Sequence, residues 1–192
     1  MARFDDDALR RLRALIAKRP AIEIDAPSLR RAAVLIPLIA TAEGWSLLFT
    51  RRAENLAAHS GQIAFPGGSV EAGESFEDAA RREAQEEVGI PEKHVEIFGR
   101  HDDVVTNSGY LVAPFAGIVH ERIEYVMQES EVVETFEVPI DVLLAEHNPE
   151  VRYVSFRNRK YPSYFYHHGQ YEIWGLTGRM LKAFLDLVWQ TI

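Results

Sequence analysis

Three glutamates share one face of a helix that the sequence predicts over residues 76–88. At about 100° per residue, Glu83, Glu86 and Glu87 fall on a single strip of that helix. Glu86 alone has an arginine at helical spacing, Arg82, in the preceding turn. Like-charged neighbours at this spacing cost roughly 0.2–0.5 kcal/mol per pair. Carboxylates grouped in this way suit a hard divalent cation such as Mg²⁺, which takes oxygen ligands.

A solvated, salt-bridged face is the alternative interpretation, and it is common for helices rich in glutamate and arginine. Such a face would carry cations near Glu83 and Glu87. The residues three and four positions away from these two are instead alanine, glutamate, isoleucine and proline. The neighbours therefore favour a metal site over a purely structural face.

The predicted helix has a start signal and a stop signal. Ser75 is a good N-cap, and Asp78 three residues later resembles the second half of a capping box. Gly89 stands where a left-handed helix end is expected, and Pro91 keeps the helix from resuming. The loop before the helix is rich in glycine, which allows backbone to approach a ligand closely.

The wider segment, residues 68–90, matches a known pattern. The pattern is Gly, five residues, Glu, seven residues, Arg-Glu, an apolar residue, any residue, Glu-Glu, any residue, Gly and an apolar residue. It is met in register by Gly68, Glu74, Arg82, Glu83, Glu86, Glu87 and Gly89. The chain therefore resembles the Nudix hydrolases, which cleave diphosphates carried on another moiety. The resemblance implies a metal-dependent diphosphatase with Mg²⁺ or Mn²⁺ as cofactor and a small molecule as substrate.

The resemblance also implies roles for residues of this box. Glu83 and Glu87 would be the principal metal ligands, and Glu86 a third ligand or the group that takes a proton from the attacking water. Gly67 would lend its backbone carbonyl to the metal. A metal held there would neutralise the diphosphate oxygens, orient the phosphorus and lower the pKa of a bound water.

Other residues would support these ligands. Arg82 would orient the glutamates by ion pairing, and Glu74 would fix the loop through hydrogen bonds. Nudix enzymes differ in where they keep the general base, so glutamates outside the box are candidates as well. Glu134, preferred here to Glu131, stands at the start of a predicted strand from which a loop could reach the site.

The residues before the box carry the information on the substrate. Residues 47–68 resemble the signature of the coenzyme A diphosphatases, which is roughly L-L-T-x-R-S/A, three residues, R, three residues, G, three residues, FPGG. The expected substrate-binding residues in this segment are Thr50, Arg52, Gly61, Phe65 and Gly68. The second arginine of the signature is replaced by Ala57, so either another cation holds the phosphates or the affinity is lower. Similar segments further along extend the resemblance over residues 32–181.

By this resemblance the enzyme would hydrolyse coenzyme A or its thioesters to 4′-phosphopantetheine, or its acyl form, and adenosine 3′,5′-bisphosphate. Two alternatives stay open. One is a Nudix hydrolase of another nucleoside diphosphate derivative, such as ADP-ribose or a dinucleoside polyphosphate. The other is a ligand-binding module that keeps the fold without the chemistry, which the intact glutamates disfavour.

The elements that must position these residues follow the order of an α+β protein. Strand 32–40 is a continuous apolar run, as expected when both faces are covered. Further strands are predicted at 45–52, 62–65, 94–105, 111–119, 131–138, 151–157 and 162–174, and helices at 5–18, 76–88, 140–147 and 178–190. The Nudix resemblance implies an α/β/α sandwich with a mixed β-sheet.

The domain organisation is expected to be simple, because 192 residues fit one domain with extensions. Residues 1–29 would form an N-terminal helix and linker, residues 30–175 the Nudix domain, and residues 176–192 a C-terminal helix packed on it. Aromatic residues between 161 and 174 suit the core or a homodimer interface, so the oligomeric state stays open.

Composition narrows the expected partners and compartment. A formal net charge of −8 disfavours nucleic acid as the main partner, because binding its phosphates needs a basic face. The chain has no cysteine, which excludes disulfides and thiolate zinc sites. The longest apolar run, 32–42, is too short to span a bilayer, and residues 1–11 do not resemble a signal peptide. A cytoplasmic protein without membrane contact is therefore expected. The histidines show no metal-ligand spacing and are expected in loops or on the surface.

Overall fold

The computed structural model describes residues 3–53, 61–145, 149–156 and 159–192. Its helices are α1 (Asp6–Lys18), α2 (Phe76–Val88), α3 (Ile140–Leu143) and α4 (Gly175–Val188). Its strands are β1 (Arg30–Thr41), β2 (Gly44–Arg52), β3 (Ile63–Ala64), β4 (Gly67–Ser69), β5 (Val95–Arg100), β6 (Val104–Val105), β7 (Tyr110–Val119), β8 (Val132–Pro139), β9 (Glu150–Phe156), β10 (Arg159–His168) and β11 (Tyr171–Ile173). Within these described ranges, no helix combines the length and the apolar character that a membrane-spanning helix needs.

Strand β1 lies at the centre of a mixed sheet. Its residues 30–39 pair in parallel with β7, and its other edge pairs antiparallel with β2 near its end and with β4 near its start. β5 and β6 pair antiparallel with β7, and β3 and β8 pair antiparallel with β2. The strands β9, β10 and β11 form a second, antiparallel sheet. Strand β4 thus brings the glycine-rich loop onto the middle of the main sheet.

Helices cover both faces of the mixed sheet, which explains why β1 is apolar along its length. On one face α2 packs Ala80 and Ala84 in the same apolar cluster as Leu35 of β1. On the other face α1 and α4 contribute side chains such as Leu12 and Phe184 to a second cluster. The predicted α+β fold, an α/β/α sandwich around a mixed sheet, is confirmed. Both terminal helices contribute to the core on the face opposite α2.

Some elements differ from their predicted bounds. The strand predicted at 94–105 is interrupted between β5 and β6, because the chain there binds the N-terminal linker. The Asp102 carboxylate accepts the N–H of Ile22 at 2.8 Å, and the Asp103 carboxylate accepts the N–H of Ile24 at 2.9 Å. The strand predicted at 162–174 is two strands, β10 and β11. Helix α3 ends before its predicted end, and α4 begins before its predicted start.

His101 lies in the loop between β5 and β6, in agreement with the predicted loop or surface position, but its side chain is buried. Only 4% of the residue is exposed, and its ring centroid lies 5.7 Å from that of Phe184. Among the described residues its Nε2 has no hydrogen-bond partner. Burial lowers the pKa of His101 to about 4, and the charge of Arg19 acts in the same direction. The side chain is therefore neutral near pH 7.

We predict that His101 makes the fold sensitive to mild acid. Its pKa in the folded protein is below its ordinary value of 6.5. Its contribution to stability is therefore fully present above that value and is lost as the pH falls toward 4. As the pH falls from neutral to 4, the unfolding free energy of the wild type should therefore drop by up to about 3 kcal/mol more than that of His101→Leu. Urea unfolding at a series of pH values measures this, and a difference that is independent of pH would contradict it.

Candidate active site

Helix α2 begins and ends where its sequence predicts. The Ser75 hydroxyl accepts the N–H of Asp78 at 3.1 Å and donates to the Asp78 carboxylate at 2.7 Å. At the other end Gly89 is left-handed, with φ of 73°, and its N–H donates to the carbonyl of Gln85 at 3.0 Å. The alanines of α2 face the sheet, and Glu83 and Glu87 face the glycines at the start of the loop 67–74.

Arg82 joins this loop to the helix. Its Nε and Nη2 donate to the two oxygens of the Glu74 carboxylate at 2.8 and 3.1 Å. Its Nη1 donates to Glu83 at 3.0 Å and to Glu86 at 2.9 Å, and Nη2 also donates to the carbonyl of Ser69 at 2.9 Å. The hydrogen bonds from Arg82 lower the pKa of Glu74. One guanidinium therefore holds a loop carboxylate and two helix carboxylates in a fixed arrangement.

Glu87 is the buried carboxylate of the site, with 2% of the residue exposed. Its Oε2 accepts the N–H of Gly67 at 3.0 Å, and its Oε1 lies 3.7 Å from Nη1 of Arg52. Burial raises the pKa of Glu87 to about 7, although the Gly67 hydrogen bond and the charge of Arg52 act to lower it. This carboxylate therefore has less positive charge around it than its burial requires.

Two further carboxylates lie near Glu87. Burial raises the pKa of Glu83, against the hydrogen bond from Arg82. The charge of Glu131 raises the pKa of both Glu83 and Glu87, as a smaller contribution than burial. Glu131, from the segment before β8, is therefore within electrostatic range of both helix carboxylates.

Two glycines allow the loop to lie between β1 and α2. A Cβ on Gly67 would stand 2.3 Å from the carbonyl oxygen of Ala33 in β1. A Cβ on Gly68 would stand 2.5 Å from both carboxylate oxygens of Glu83. Glycine at 67 is therefore required by the close approach of β4 to β1, and glycine at 68 leaves the space that the Glu83 carboxylate fills.

These residues fit a divalent metal ion through the chemistry of their donors. Carboxylate oxygens and backbone carbonyls are the ligands that Mg²⁺ and Mn²⁺ take. In the described parts of the chain no three acidic or histidine side chains form a ready-made ligand cluster. Glu83 and Glu86 are instead hydrogen-bonded to Arg82, and Glu87 to the N–H of Gly67. Binding a metal therefore requires these carboxylates to exchange hydrogen bonds for the ion.

Comparison with known proteins identifies the domain that carries this site. The family model for the NUDIX domain matches residues 29–158. The chain belongs to the Nudix family. It is 38% identical to the uncharacterized Nudix hydrolase NudL of Photorhabdus laumondii over 160 residues, which are 83% of this chain and 85% of that protein. It is also 38% identical to the protein of the same name from Enterobacter sp. over 181 residues, which are 92% of this chain and 91% of that one.

As a Nudix hydrolase, the protein is a diphosphatase that acts on phosphoric anhydrides and binds a small-molecule diphosphate substrate. Nudix enzymes generally use a divalent metal ion, which agrees with the donors at the site. Two solved structures share the fold. A MutT/nudix family protein from Enterococcus faecalis has a TM-score of 0.55 at 15% identity and covers 94% of this chain and 69% of that one. An Ap4A hydrolase from C. elegans has a TM-score of 0.51 at 20% identity and covers 57% of this chain and 80% of that one.

The residues expected to bind the substrate of the Nudix enzyme are only partly brought together. Arg52 faces Glu87, and Gly68 lies against Glu83. The N–H of Gly61 donates to the carbonyl of Arg52 at 3.2 Å, so Gly61 lies beside Arg52. The expected departure from the subfamily signature, Ala57, lies outside the described residues.

Thr50 and Phe65 are both buried, and their side chains make internal contacts. The Thr50 hydroxyl donates to the carbonyl of Ala64 at 3.3 Å. Phe65 stacks on Phe49 with ring centroids 4.8 Å apart. These two signature residues hold β2 and β3 together, and their contacts give them a structural role beside any role in binding.

The structure does not bring Glu134 to the acidic site. Its carboxylate accepts hydrogen bonds from Nε of Arg51 at 2.9 Å and from the hydroxyl of Tyr171. Residues two apart in a strand share a face, and Phe136 packs against the cluster formed with α1 and α4. Glu134 therefore lies on the sheet face opposite α2, whereas Arg52, the residue after Arg51, faces α2.

Two features of the site were not predicted from the sequence. Counting only partners three and four positions away along the helix overlooks the contact between Arg82 and Glu83, because the forked guanidinium also reaches its immediate neighbour. The preference for Glu134 over Glu131 ignored the alternation of β8. Phe136 and Val138 have the same parity as Glu134, and their apolar character is the signal that could have placed Glu134 on a core-facing side.

We predict that Gly68→Ala removes activity while the fold stays intact. The new Cβ would meet the Glu83 carboxylate at 2.5 Å, and this far end of a flexible side chain can swing away. Misplacing it should lower kcat/KM for a diphosphate substrate by about 100-fold, with a change of less than about 1 kcal/mol in unfolding free energy. Ser69→Ala, next to it and exposed, is the control. Wild-type activity of Gly68→Ala would show that Glu83 is not needed where it stands.

Proposed function

We propose that this Nudix enzyme hydrolyses the diphosphate bond of coenzyme A or an acyl-CoA with Mg²⁺ or Mn²⁺ as cofactor. The products would be 4′-phosphopantetheine, or its acyl form, and adenosine 3′,5′-bisphosphate. The observation that carries the proposal is the position of Arg52, which stands 3.7 Å from Glu87. In the segment that resembles the coenzyme A diphosphatases, Arg52 thus lies beside Glu87 of the box.

The metal would be held by Glu83, Glu87 and Glu86, with the carbonyl of Gly67 as a further ligand. When bound, the ion supplies charge neutralisation and a water of lowered pKa. Arg82 holds Glu83 and Glu86 in place, and these two carboxylates would exchange its hydrogen bonds for the ion. Because Arg82 also binds Glu74, the loop that bears Gly67 keeps its position relative to the helix.

A carboxylate beside the site would accept the proton of the attacking water. Glu86 is one candidate, since it lies on the same strip of α2 as the two principal ligands. Glu131 is the candidate from outside the box, because its charge is felt by both Glu83 and Glu87. It takes the place of Glu134, whose side chain binds Arg51 on the other face of the sheet.

Arg52 would bind phosphate oxygens of the substrate. Its guanidinium is a planar fork that matches two phosphate oxygens, which a lysine cannot reproduce. The 3.7 Å contact with Glu87 is longer than a hydrogen bond, so the fork is not committed to that carboxylate. The side chain is 26% exposed and can therefore be reached from solvent.

Ala57 is the observation that favours a second candidate. The coenzyme A diphosphatase signature has an arginine at this position, and a chain without it has one cation fewer for the coenzyme's phosphates. The second candidate is therefore a Nudix hydrolase of a smaller nucleoside diphosphate derivative, such as ADP-ribose. A catalytically silent ligand-binding module is disfavoured, because all the box glutamates are present.

We predict that coenzyme A is cut with a higher kcat/KM than ADP-ribose or a dinucleoside polyphosphate. Each substrate is incubated with the purified protein and either Mg²⁺ or Mn²⁺, and the products are separated by chromatography. Glu83→Gln and Glu87→Gln should each lower turnover by about 1,000-fold, because the metal supplies several kcal/mol of charge stabilisation. Glu92→Gln, the same change at an exposed site, is the control. Faster turnover of ADP-ribose would replace the first candidate by the second.

We predict that Arg52→Lys weakens substrate binding more than it slows chemistry. The lysine keeps the charge and loses the bidentate fork, so KM for coenzyme A should rise by about tenfold while kcat falls less. Arg51→Lys is a matched control, because Arg51 faces the opposite side of the sheet and binds Glu134. Equal effects of the two substitutions would mean that Arg52 has no special contact with the substrate.

A further inference from the structure

The segment between β7 and β8 is tied to the end of the metal-site helix. Residues 125–131 of this segment are called the strap below. The N–H of Val126 donates to the carbonyl of Val88 at 3.2 Å, and the N–H of Gln128 donates to the carbonyl of Glu87 at 3.0 Å. These carbonyls belong to the last turn of α2, where a helix offers no partner of its own. The strap therefore holds the backbone of the residue that carries the buried carboxylate.

Gly89 allows the strap to come this close. A Cβ on Gly89 would stand 3.1 Å from both the Cβ and the backbone nitrogen of Val126. The left-handed conformation at the helix end and the close packing of the strap therefore both require glycine at position 89. The end of α2 is shaped to receive the strap.

The other end of the strap reaches the substrate side of the site. The carbonyl of Glu131 accepts the N–H of Ala53, the residue after Arg52, at 2.8 Å. The N–H of Glu131 donates to the carbonyl of Gln128 at 2.8 Å, which closes a tight turn. Because this turn fixes Glu131 relative to Gln128, the strap relates the positions of Glu87, Glu131 and Arg52 to one another.

One side-chain hydrogen bond anchors the strap to the sheet. The hydroxyl of Tyr125 donates to Oε1 of Glu137 in β8 at 2.9 Å, and the Tyr125 ring packs against the apolar cluster under α2. Arg122 lies 3.8 Å from the same oxygen, as an exposed and longer contact. Tyr125 therefore ties the start of the strap to β8, whereas the end of the strap is fixed to the same strand by the N–H of Val132, which donates to the carbonyl of Gln128 at 2.9 Å.

We propose that Tyr125 and Glu137 are positioning residues of the active site, whose hydrogen bond sets the spacing of Glu87, Glu131 and Arg52 through the strap. The proposal rests on the proposed function, because it takes these three side chains to act in hydrolysis. Neither Tyr125 nor Glu137 is expected to touch the substrate. Their effect is on geometry, and it must appear in metal binding as well as in turnover.

The test is Tyr125→Phe, which removes one hydroxyl and keeps the ring. Amide exchange of Val126 and Gln128 should become about tenfold faster, because the lost bond holds their segment in place. Affinity for Mn²⁺, measured by electron paramagnetic resonance without substrate, should fall by roughly tenfold, the lower end of the loss expected for a partner that orients metal ligands. Tyr153→Phe, at a residue that is 69% exposed, is the matched control.

Glu137 gives the second arm of the test. Glu137→Gln keeps an acceptor oxygen and should retain the wild-type affinity for Mn²⁺, whereas Glu137→Ala should behave like Tyr125→Phe. Combining Glu137→Ala with Tyr125→Phe should add little, since both remove the same interaction. Wild-type amide exchange and Mn²⁺ affinity in Tyr125→Phe would overturn the proposal. A lower melting temperature with unchanged Mn²⁺ affinity would overturn it too, because the bond would then be structural only. Failure of the wild type to bind Mn²⁺ would overturn the proposed function, and this one with it.

Discussion

The burial of Glu87 is the constraint on which the rest of the site depends. A carboxylate removed from water needs hydrogen bonds and positive charge, or it loses its own charge. The N–H of Gly67 gives one hydrogen bond and Arg52 stands nearby, and yet burial still raises the pKa of Glu87 to about 7. A divalent cation would supply the missing positive charge, since a nearby positive charge favours the ionised form. Gly67 and Arg52 therefore do not fully neutralise the negative charge of the Glu87 carboxylate.

Arg82 holds the loop and the helix together against the repulsion between their carboxylates. Like-charged carboxylates at helical spacing repel each other, and Glu74 adds a further negative charge from the loop. The guanidinium binds Glu74 through two nitrogens and uses the third for Glu83 and Glu86. Because the planar fork is rigid, it fixes the direction from which the helix carboxylates face Gly67 and Gly68. Glu87 stays outside this network, which leaves it dependent on Gly67 and Arg52.

The parts of the site that the sequence could predict are those with local causes. The bounds of α2 follow from Ser75 and Gly89, and its inward face follows from alanines at helical spacing. The position of Glu131 depends instead on how β8 pairs with β2. The two strands shift register between Arg51 and Arg52, and no pattern within either segment reveals that irregularity. The burial of His101 likewise depends on its packing against α4, which is distant in sequence.

The alternation of side chains along β2 determines which arginine faces the acidic site. Successive residues of a strand point to opposite faces, so Leu48 lies in the cluster under α2 and Phe49 in the cluster under α1 and α4. The same alternation sends Arg51 to Glu134 and Arg52 to Glu87. A slip of one residue would exchange the two arginines and take Arg52, the proposed phosphate ligand, away from the acidic site. The pairing of β2 with β1 and β8 therefore does more than close the sheet, because it decides which arginine faces Glu87.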